Sequence, residues 1–77
     1  MDLKMIYVIE GDGFCTDDIV EIIKEEEYTH NFYFASKHPF NKGYLMQCDE
    51  VWCFGDCELV EDYHMAMESR KDIWQMG

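Results

Sequence analysis

Basic residues are scarce in this chain of 77 residues, which has six lysines and arginines against 17 aspartates and glutamates and a formal net charge of −11. So few cations leave little with which to hold a phosphate backbone, and direct binding to nucleic acid is not expected. No apolar run approaches the roughly 20 residues that span a bilayer. Residues 1–4 lack the basic segment of a signal peptide, and no cleavage motif follows them. These features predict a cytoplasmic protein without membrane contact.

Proline is also rare, with one residue in the chain, whereas 48% of the residues are hydrophobic and 16% are aromatic. This composition differs from that of a disordered acidic tail and predicts a packed core. A chain this short is expected to form a single α/β domain over residues 1–77, with one small core and no second lobe to enclose a cleft.

A zinc-type cysteine spacing is missing as well. Cys15, Cys48, Cys53 and Cys57 contain no CxxC pair, and the three histidines form no helical HxxxH pair. No metal and no cofactor are therefore expected. Because nothing indicates secretion, free and mostly buried thiols are the favoured interpretation. A disulfide, which the even number of cysteines allows, and a metal site remain alternatives.

Short apolar runs bounded by turn residues predict four strands, at residues 5–9, 31–35, 51–54 and 72–76. Aromatic residues in these runs are assigned to the core, and they are Tyr7, Phe32, Phe34, Trp52 and Trp74. The aromatic residues in or beside loops are candidates for an exposed recognition surface, and they are Phe14, His38, Phe40 and Tyr44.

Helical periodicity predicts two main helices between the strands. The first spans residues 16–27 with Thr16 as its N-cap, and the second spans residues 58–69 with Asp56 as its cap. A single helical turn is expected near residues 44–48. The inner face of the second helix is expected to carry Leu59, Tyr63, Ala66 and Met67.

Strands that alternate with helices predict parallel pairing with right-handed crossovers. We expect a minimal α/β fold of two or three layers, with a mostly parallel four-stranded sheet of order 2-1-3-4. A homodimer could cover an exposed face or edge of so small a sheet.

The carboxyl ends of the strands are the expected ligand site, since ligands of open parallel sheets bind there at the switch point. After the first and third strands this edge would collect Glu10, Gly11, Asp12, Gly13, Gly55, Asp56 and Glu58. The glycines would allow close backbone approach, and the carboxylates would tolerate a sugar hydroxyl or Mg²⁺ better than a phosphate. The alternative is that these are ordinary loop residues of an acidic protein.

Residues 48–56, with the sequence CDEVWCFGD, resemble the "cDevwvfGd" stretch of small bacterial and phage proteins similar to the nucleoside 2-deoxyribosyltransferases. In that family a helix carrying Glu-x-x-x-Ala follows, and "gkpI" then enters the last strand. Here residues 62–66 and 70–73 take these places, and residues 5–11 resemble the family's first strand and its loop. The resemblance implies an α/β fold and a nucleotide-related cleft.

The helix motif decides what the resemblance implies about activity. The family's enzymes use a glutamate nucleophile there, where this chain presents Asp62 or Glu61. A carboxylate shortened by one methylene misplaces its oxygens by about an ångström, to which nucleophilic attack is sensitive. No catalytic residue is therefore expected. If the chain is an enzyme, its acids would come from Asp62, Glu61, Glu10 and Asp12, acting in an N-glycosidic hydrolase or deoxyribosyltransferase.

The net charge is the strongest functional indication that does not depend on the resemblance. A net charge of −11 opposes folding through self-repulsion, yet its field would steer the protein to a basic surface that normally holds nucleic acid. The expected partner-binding residues are acids of the two helices, namely Asp17, Asp18, Glu21, Glu25, Glu26, Glu58, Glu61 and Glu68. Selection for solubility alone is the simpler alternative.

The sequence therefore predicts a non-catalytic acidic protein of the phage type. It would inhibit a basic, nucleic-acid-binding host protein by nucleic-acid mimicry, as an anti-defence or anti-CRISPR-like factor in the host cytoplasm. Two alternatives remain open. One is a binder of a nucleotide or nucleotide-derived signal, and the other is the small hydrolase or transferase.

Overall fold

Seven helices and strands alternate in the computed structural model of the protein, which describes residues 3–76. Residues 1, 2 and 77 of the predicted domain lie outside this range. The elements are β1 (Met5–Glu10), α1 (Thr16–Glu25), β2 (Asn31–Phe34), α2 (Lys42–Gln47), β3 (Glu50–Phe54), α3 (Glu61–Ser69) and β4 (Ile73–Met76).

The four strands form one sheet in the order β2-β1-β3-β4, and every neighbouring pair is parallel. The predicted α/β fold, strand order and parallel pairing are confirmed. Residues buried on both faces explain the continuous apolar runs of β1 and β3, because a central parallel strand has helices above and below it.

Alternate residues of the central strands divide the core between two faces. Ile6, Val8, Trp52 and Phe54 pack with the buried isoleucines of α1 on one face, which we call the α1 face. Tyr7, Ile9, Val51 and Cys53 pack with Leu45 of α2 and Ala66 of α3 on the other, the α2/α3 face. The molecule therefore has three layers, with one helix on one face of the sheet and two on the other.

Both main helices begin differently from the prediction. Thr16 is not the N-cap of α1: Cys15 holds that position, and the Thr16 hydroxyl donates instead to the carboxylate of Glu10. Helix α3 begins at Glu61 with Val60 as N-cap, three residues later than predicted. The Asp56 carboxylate accepts from the backbone N–H of Glu58 at 3.1 Å and so closes a turn that precedes the helix. Asp56 is therefore not the cap of α3.

The late start of α3 changes which of its predicted inner residues are buried. Ala66 is fully buried and Tyr63 is half-buried, as the prediction requires. Leu59 precedes the helix and is 97% exposed, and Met67 is exposed as well. The prediction is wrong for Leu59 because this residue lies in a turn that is not helical. It is also wrong for Met67, which is within α3 but 40% exposed.

Two cysteines also differ from the favoured interpretation. Cys53 and Cys57 form a disulfide, whereas Cys15 and Cys48 are free. The turn after β3 passes through Gly55 at φ +74° and brings Cys57 back beside Cys53, with the two Cα atoms 6.6 Å apart. The prediction of four free thiols is therefore wrong for this pair.

Within residues 3–76, no helix combines the length and the apolar character needed to cross a membrane.

Candidate functional site

The loops that follow β1 and β3 contact each other through their main chains. The Gly11 N–H donates to the Phe54 carbonyl at 2.8 Å, and the Asp12 N–H donates to the Asp56 carbonyl at 2.8 Å. The Asp56 N–H returns a bond to the Asp12 carbonyl at 3.3 Å. The Gly11 bond continues the parallel β1–β3 pairing, whereas the two bonds between Asp12 and Asp56 form an isolated antiparallel bridge at the switch point where the sequence predicts a crevice.

Two of the predicted cleft glycines are explained by this contact between the loops. A Cβ added to Gly11 would lie 2.4 Å from the Phe54 carbonyl oxygen. Gly55 has φ +74°, and a Cβ there would lie 2.5 Å from the Asp12 carbonyl oxygen. Both positions exclude a side chain because backbone atoms occupy the space. The two glycines therefore allow the backbones of the two neighbouring segments to approach each other closely.

Glu10 ends β1 and holds three segments together. Its carboxylate accepts from the backbone N–H of Ser36 at 2.9 Å, from the Ser36 hydroxyl at 2.8 Å and from the Thr16 hydroxyl. These bonds join the end of β1 to the start of α1 and to the loop after β2. Within residues 3–76 the hydrogen-bond partners of the Glu10 carboxylate are donors of the scaffold, and this arrangement suits an anchoring role.

The four candidate catalytic acids lie in separate places. Glu10 contacts the α1 side of the sheet, whereas Asp62 is half-buried on α3 at the other side. Asp12 and Glu61 are exposed. Within residues 3–76 no hydrogen bond joins any two of these carboxylates. The acid–nucleophile pair therefore stays a prediction.

Tyr7, in the middle of β1, has a pKa well above its ordinary value. Burial in the α2/α3 face raises the pKa of Tyr7 to about 12, and the negative charges of Asp62, Cys48 and Glu10 add to the effect. Its hydroxyl donates to the His38 carbonyl at 2.9 Å, which fixes the segment after β2 to the centre of β1. The core assignment of Tyr7 from the sequence is confirmed.

In the described part of the chain, no cluster of three or more acidic, histidine or cysteine side chains could hold a metal ion.

The eight predicted partner-binding acids are all exposed. None takes part in the two ion pairs found within residues 3–76, which join Lys4 to Glu50 at 2.9 Å and Arg70 to Asp72 at 2.5 Å. The acids of α1 and those of α3 lie on opposite sides of the sheet, because the two helices pack on opposite faces. The structure thus presents these carboxylates to solvent from two layers rather than in one row.

The predicted recognition aromatics are divided between surface and core. His38 and Tyr44 are exposed, and Tyr44 stacks on Tyr33 with ring centroids 6.2 Å apart. Phe14 is half-buried against Phe54 at 5.9 Å, and Phe40 is half-buried against the core of the α2/α3 face. These four residues therefore do not share one exposed surface.

An open groove lies on the α1 face, beside the helix. Its volume is about 310 Å³, with Ile22 and Ile23 of α1 on one side, Trp52 and Phe54 of β3 as its floor and Met76 of β4 beyond. Sequence reasoning missed this groove. The crossover rule could have found it, since the order 2-1-3-4 with right-handed connections places α1 alone on its face.

Trp74 extends this apolar surface. It pairs with Trp52 in the β3–β4 register, so both side chains project from the same face of the sheet. Trp52 is buried, whereas Trp74 is 56% exposed because no helix covers the β4 side of this face. The assignment of Trp74 to the core is therefore wrong.

Comparisons of the chain with protein-family models, with curated proteins and with solved structures found no match. The resemblance to the deoxyribosyltransferase-like proteins stays a prediction.

Proposed function

We propose that this chain is a non-catalytic, acidic interaction protein that occupies a basic, nucleic-acid-binding surface of a partner protein. One observation carries the proposal: a net charge of −11 is combined with eight helix and loop acids that are exposed and outside every ion pair of residues 3–76. An inhibitor of a host nucleic-acid-binding protein, of the kind that phages encode, fits this charge.

The spacing of the acids supports the same function. Carboxylates one helical turn apart, such as those of Glu21 and Glu25, are separated by roughly 5–6 Å along α1. That interval is comparable with the spacing of phosphates along a nucleic-acid strand. Since the acids lie outside ion pairs of the described residues, their field extends into solvent and accelerates encounter with a cationic groove.

The two alternative functions have less support from the geometry. A nucleotide in the switch-point crevice would have to displace the main-chain bonds between Asp12 and Asp56. An N-glycosidic hydrolase that used Glu10 would need this carboxylate free to act on substrate, but it already accepts three bonds from Thr16 and Ser36, which leaves the exposed Asp12 as the candidate at this edge. Both arrangements favour a scaffold role for the carboxyl edge of the sheet.

Competition with DNA tests the proposed function. The immobilised protein is exposed to a bacterial lysate at low and at physiological salt, and captured proteins are identified by mass spectrometry. We expect nucleic-acid-binding proteins that are released by salt and displaced by added duplex DNA, because both ligands would occupy the same basic surface. Capture that neither salt nor DNA reduces would contradict the proposal.

A variant that removes charge and a control that keeps it make this test specific. The triple variant Glu21→Gln, Glu25→Gln, Glu26→Gln removes three exposed charges of α1, and its control replaces the same residues with aspartate. For the purified partner, we expect the glutamine variant to associate about tenfold more slowly at low salt, with a smaller change in the dissociation rate. The aspartate variant should associate at nearly the original rate. Equal rates for both variants would place binding elsewhere on the chain.

A further inference from the structure

The two faces of the sheet are covered unequally. Helices α2 and α3 both pack on the α2/α3 face, whereas α1 packs alone on the other. A helix is about 10 Å wide, so a single one cannot cover four strands spaced about 4.8 Å apart. On β3 the side chains of this face, Trp52 and Phe54, are buried, so the incompletely covered strip lies over β4 and its border with β3, where the groove of about 310 Å³ opens beside α1.

The lining of the groove is suited to apolar side chains. Trp52 forms the floor, with the ring of Tyr28 against it at a centroid distance of 5.2 Å. Met76 lies on the β4 side, and the exposed ring of Trp74 continues the surface. Exposed aromatic side chains such as Tyr28 and Trp74 are typical anchors of protein interfaces, and Met76 adds a half-buried methionine beside them.

The rim of the groove is negatively charged along α1. Glu26 contributes directly to the lining. At about 100° per residue, Asp18 and Glu25 lie within about 60° of Ile22, on the side turned away from the sheet. Lys24, the cation of this helix, lies about 200° from Ile22 and therefore beyond the groove. An apolar floor beside a wall of carboxylates is complementary to a segment that is apolar on one face and basic on the other.

We propose that this groove docks an amphipathic, basic α-helix of the partner protein, with its apolar face on Tyr28, Trp74 and Met76. A helix fits because the second helical layer is incomplete at this place, and because Trp74 and Met76 project from the face of the sheet rather than from its edge. A second copy of this chain fits poorly, since two surfaces rimmed by acids would meet. The inference rests on the proposed function for the basic nature of the partner, and it adds where and how that partner binds.

Synthetic peptides test the groove directly. The probe is a helical peptide of about 18 residues, with leucines at i, i+3, i+4 and i+7 and lysines elsewhere, and without aromatic residues. Its control has the same composition in a permuted order that has no apolar face. Trp52 lies under the groove and the exposed Trp74 is its partner on β4, so a change in tryptophan emission reports mainly on the covering of Trp74. We expect the amphipathic peptide alone to shift the tryptophan emission to the blue.

Variants on the two faces complete the test, with affinities measured by calorimetry. Trp74→Ala should weaken binding of the amphipathic peptide about tenfold, whereas Leu59→Ala, at a site 97% exposed outside the groove, should leave it unchanged. The pair Glu25→Gln, Glu26→Gln should weaken binding more than Glu61→Gln, Glu68→Gln on α3. Because Trp74 is mostly exposed, its replacement should leave the helical circular dichroism signal intact.

The outcomes separate this inference from the proposed function. If both peptides bind equally and the emission does not shift, the groove proposal is wrong while charge-driven binding of a basic partner stands. If neither peptide binds at low salt, both proposals are wrong. If the emission shifts with protein concentration and no peptide, the groove is covered by a second copy, and the helix proposal is overturned.

Discussion

The carboxyl edge of the sheet and the groove on the α1 face differ in what fills them. At the edge, the Gly11 N–H donates to the last residue of β3, the Asp12 N–H donates to the loop after β3, and Glu10 accepts three bonds. In the groove, Trp52 and Phe54 form a floor that the single helix of that face leaves partly open. The edge has the residue types of a ligand site but is closed, whereas the groove has ordinary core residues and is open.

This difference shows that residue type and available space are separate pieces of information. Glycines and carboxylates in a loop can serve the approach of another loop as well as that of a ligand. An aromatic residue in a strand is buried only if a helix covers that part of the sheet, as Trp52 and Trp74 show. If the edge is structural, changes at Gly11, Glu10 and Tyr7 should destabilise the protein, whereas a change beside the groove should leave the groove intact.

The largest effect is expected for Gly11→Ala. The new Cβ would lie 2.4 Å from the Phe54 oxygen and 2.7 Å from the Asp56 oxygen, both backbone atoms that cannot rotate away. We expect the free energy of unfolding in urea to fall by about 3 kcal/mol. The control is Gly43→Ala, where the Cβ meets the Asn41 side chain at 3.0 Å and the change should stay within about 1 kcal/mol. A Gly11→Ala protein of unchanged stability would show that the edge can open.

A smaller loss is expected for Glu10→Gln. The amide keeps one acceptor oxygen but turns an NH₂ group towards the donors Ser36 and Thr16. Because hydrogen bonds to a charged acceptor are stronger than neutral ones, we expect the free energy of unfolding to fall by about 2 kcal/mol. Asp12→Asn is the matched control, since that side chain is exposed and its contact with Asp56 is made by the main chain. Equal stability of the two variants would leave Glu10 without a structural role.

Tyr7→Phe tests the hydrogen bond between the middle of β1 and the segment after β2. Loss of the bond to the His38 carbonyl should cost about 1 kcal/mol at neutral pH. The pKa of Tyr7 is raised to about 12 by burial, above its ordinary value of 10.0. Its contribution to stability is therefore fully present below pH 10 and is lost as the pH rises towards 12.

The pH dependence distinguishes this tyrosine from the others. We expect unfolding experiments between pH 9 and pH 12 to show a smaller loss of stability for Tyr7→Phe than for the original protein. The control Tyr44→Phe, at an exposed side chain, should keep the original profile. The raised pKa of the buried Cys48 thiol adds a loss of the same sign, which both variants retain. Identical alkaline profiles for the two variants would contradict the burial of the Tyr7 hydroxyl.

The fold could be predicted from local patterns, because alternating strands and helices leave few topologies once crossovers must be right-handed. The order 2-1-3-4 follows, and it is confirmed. The start of α3 could not be predicted in this way, since Leu59 continues the helical spacing while it lies in a turn. That turn depends on Gly55 and on the disulfide at Cys57, which are contacts in three dimensions.

The candidate site was harder to predict than the fold. The sequence correctly places Glu10, Gly11 and Asp56 at the same edge, because parallel strands end there together. Whether their loops meet or part depends on distances of a few tenths of an ångström around Gly11, which no spacing in the sequence encodes. The exposed acids are the part of the prediction least sensitive to such detail, since charged side chains of a helix remain in solvent wherever its apolar face packs.

The smallest effect is expected beside the groove, for Glu27→Gly. Helix α1 ends in a Schellman-type arrangement, in which the Glu27 N–H donates to the Lys24 carbonyl at 3.1 Å and the Tyr28 N–H donates to the Ile23 carbonyl at 3.2 Å. Glu27 has φ +57°, a left-handed conformation that favours glycine, and it adds a negative charge at the negative end of the helix dipole. We expect Glu27→Gly to raise the free energy of unfolding by about 0.5–1 kcal/mol.

The control Glu27→Gln separates the two causes of this gain. Glutamine removes the charge but keeps the Cβ, so it should recover only a few tenths of a kcal/mol, and that part should vanish in high salt. The remaining gain of the glycine variant should persist in high salt, since it comes from relief of the backbone conformation. Tyr28 follows directly and lines the groove, so peptide binding by the glycine variant should be unchanged if the turn keeps its shape. A glycine variant less stable than the glutamine variant would mean that Glu27 does not adopt this conformation in solution.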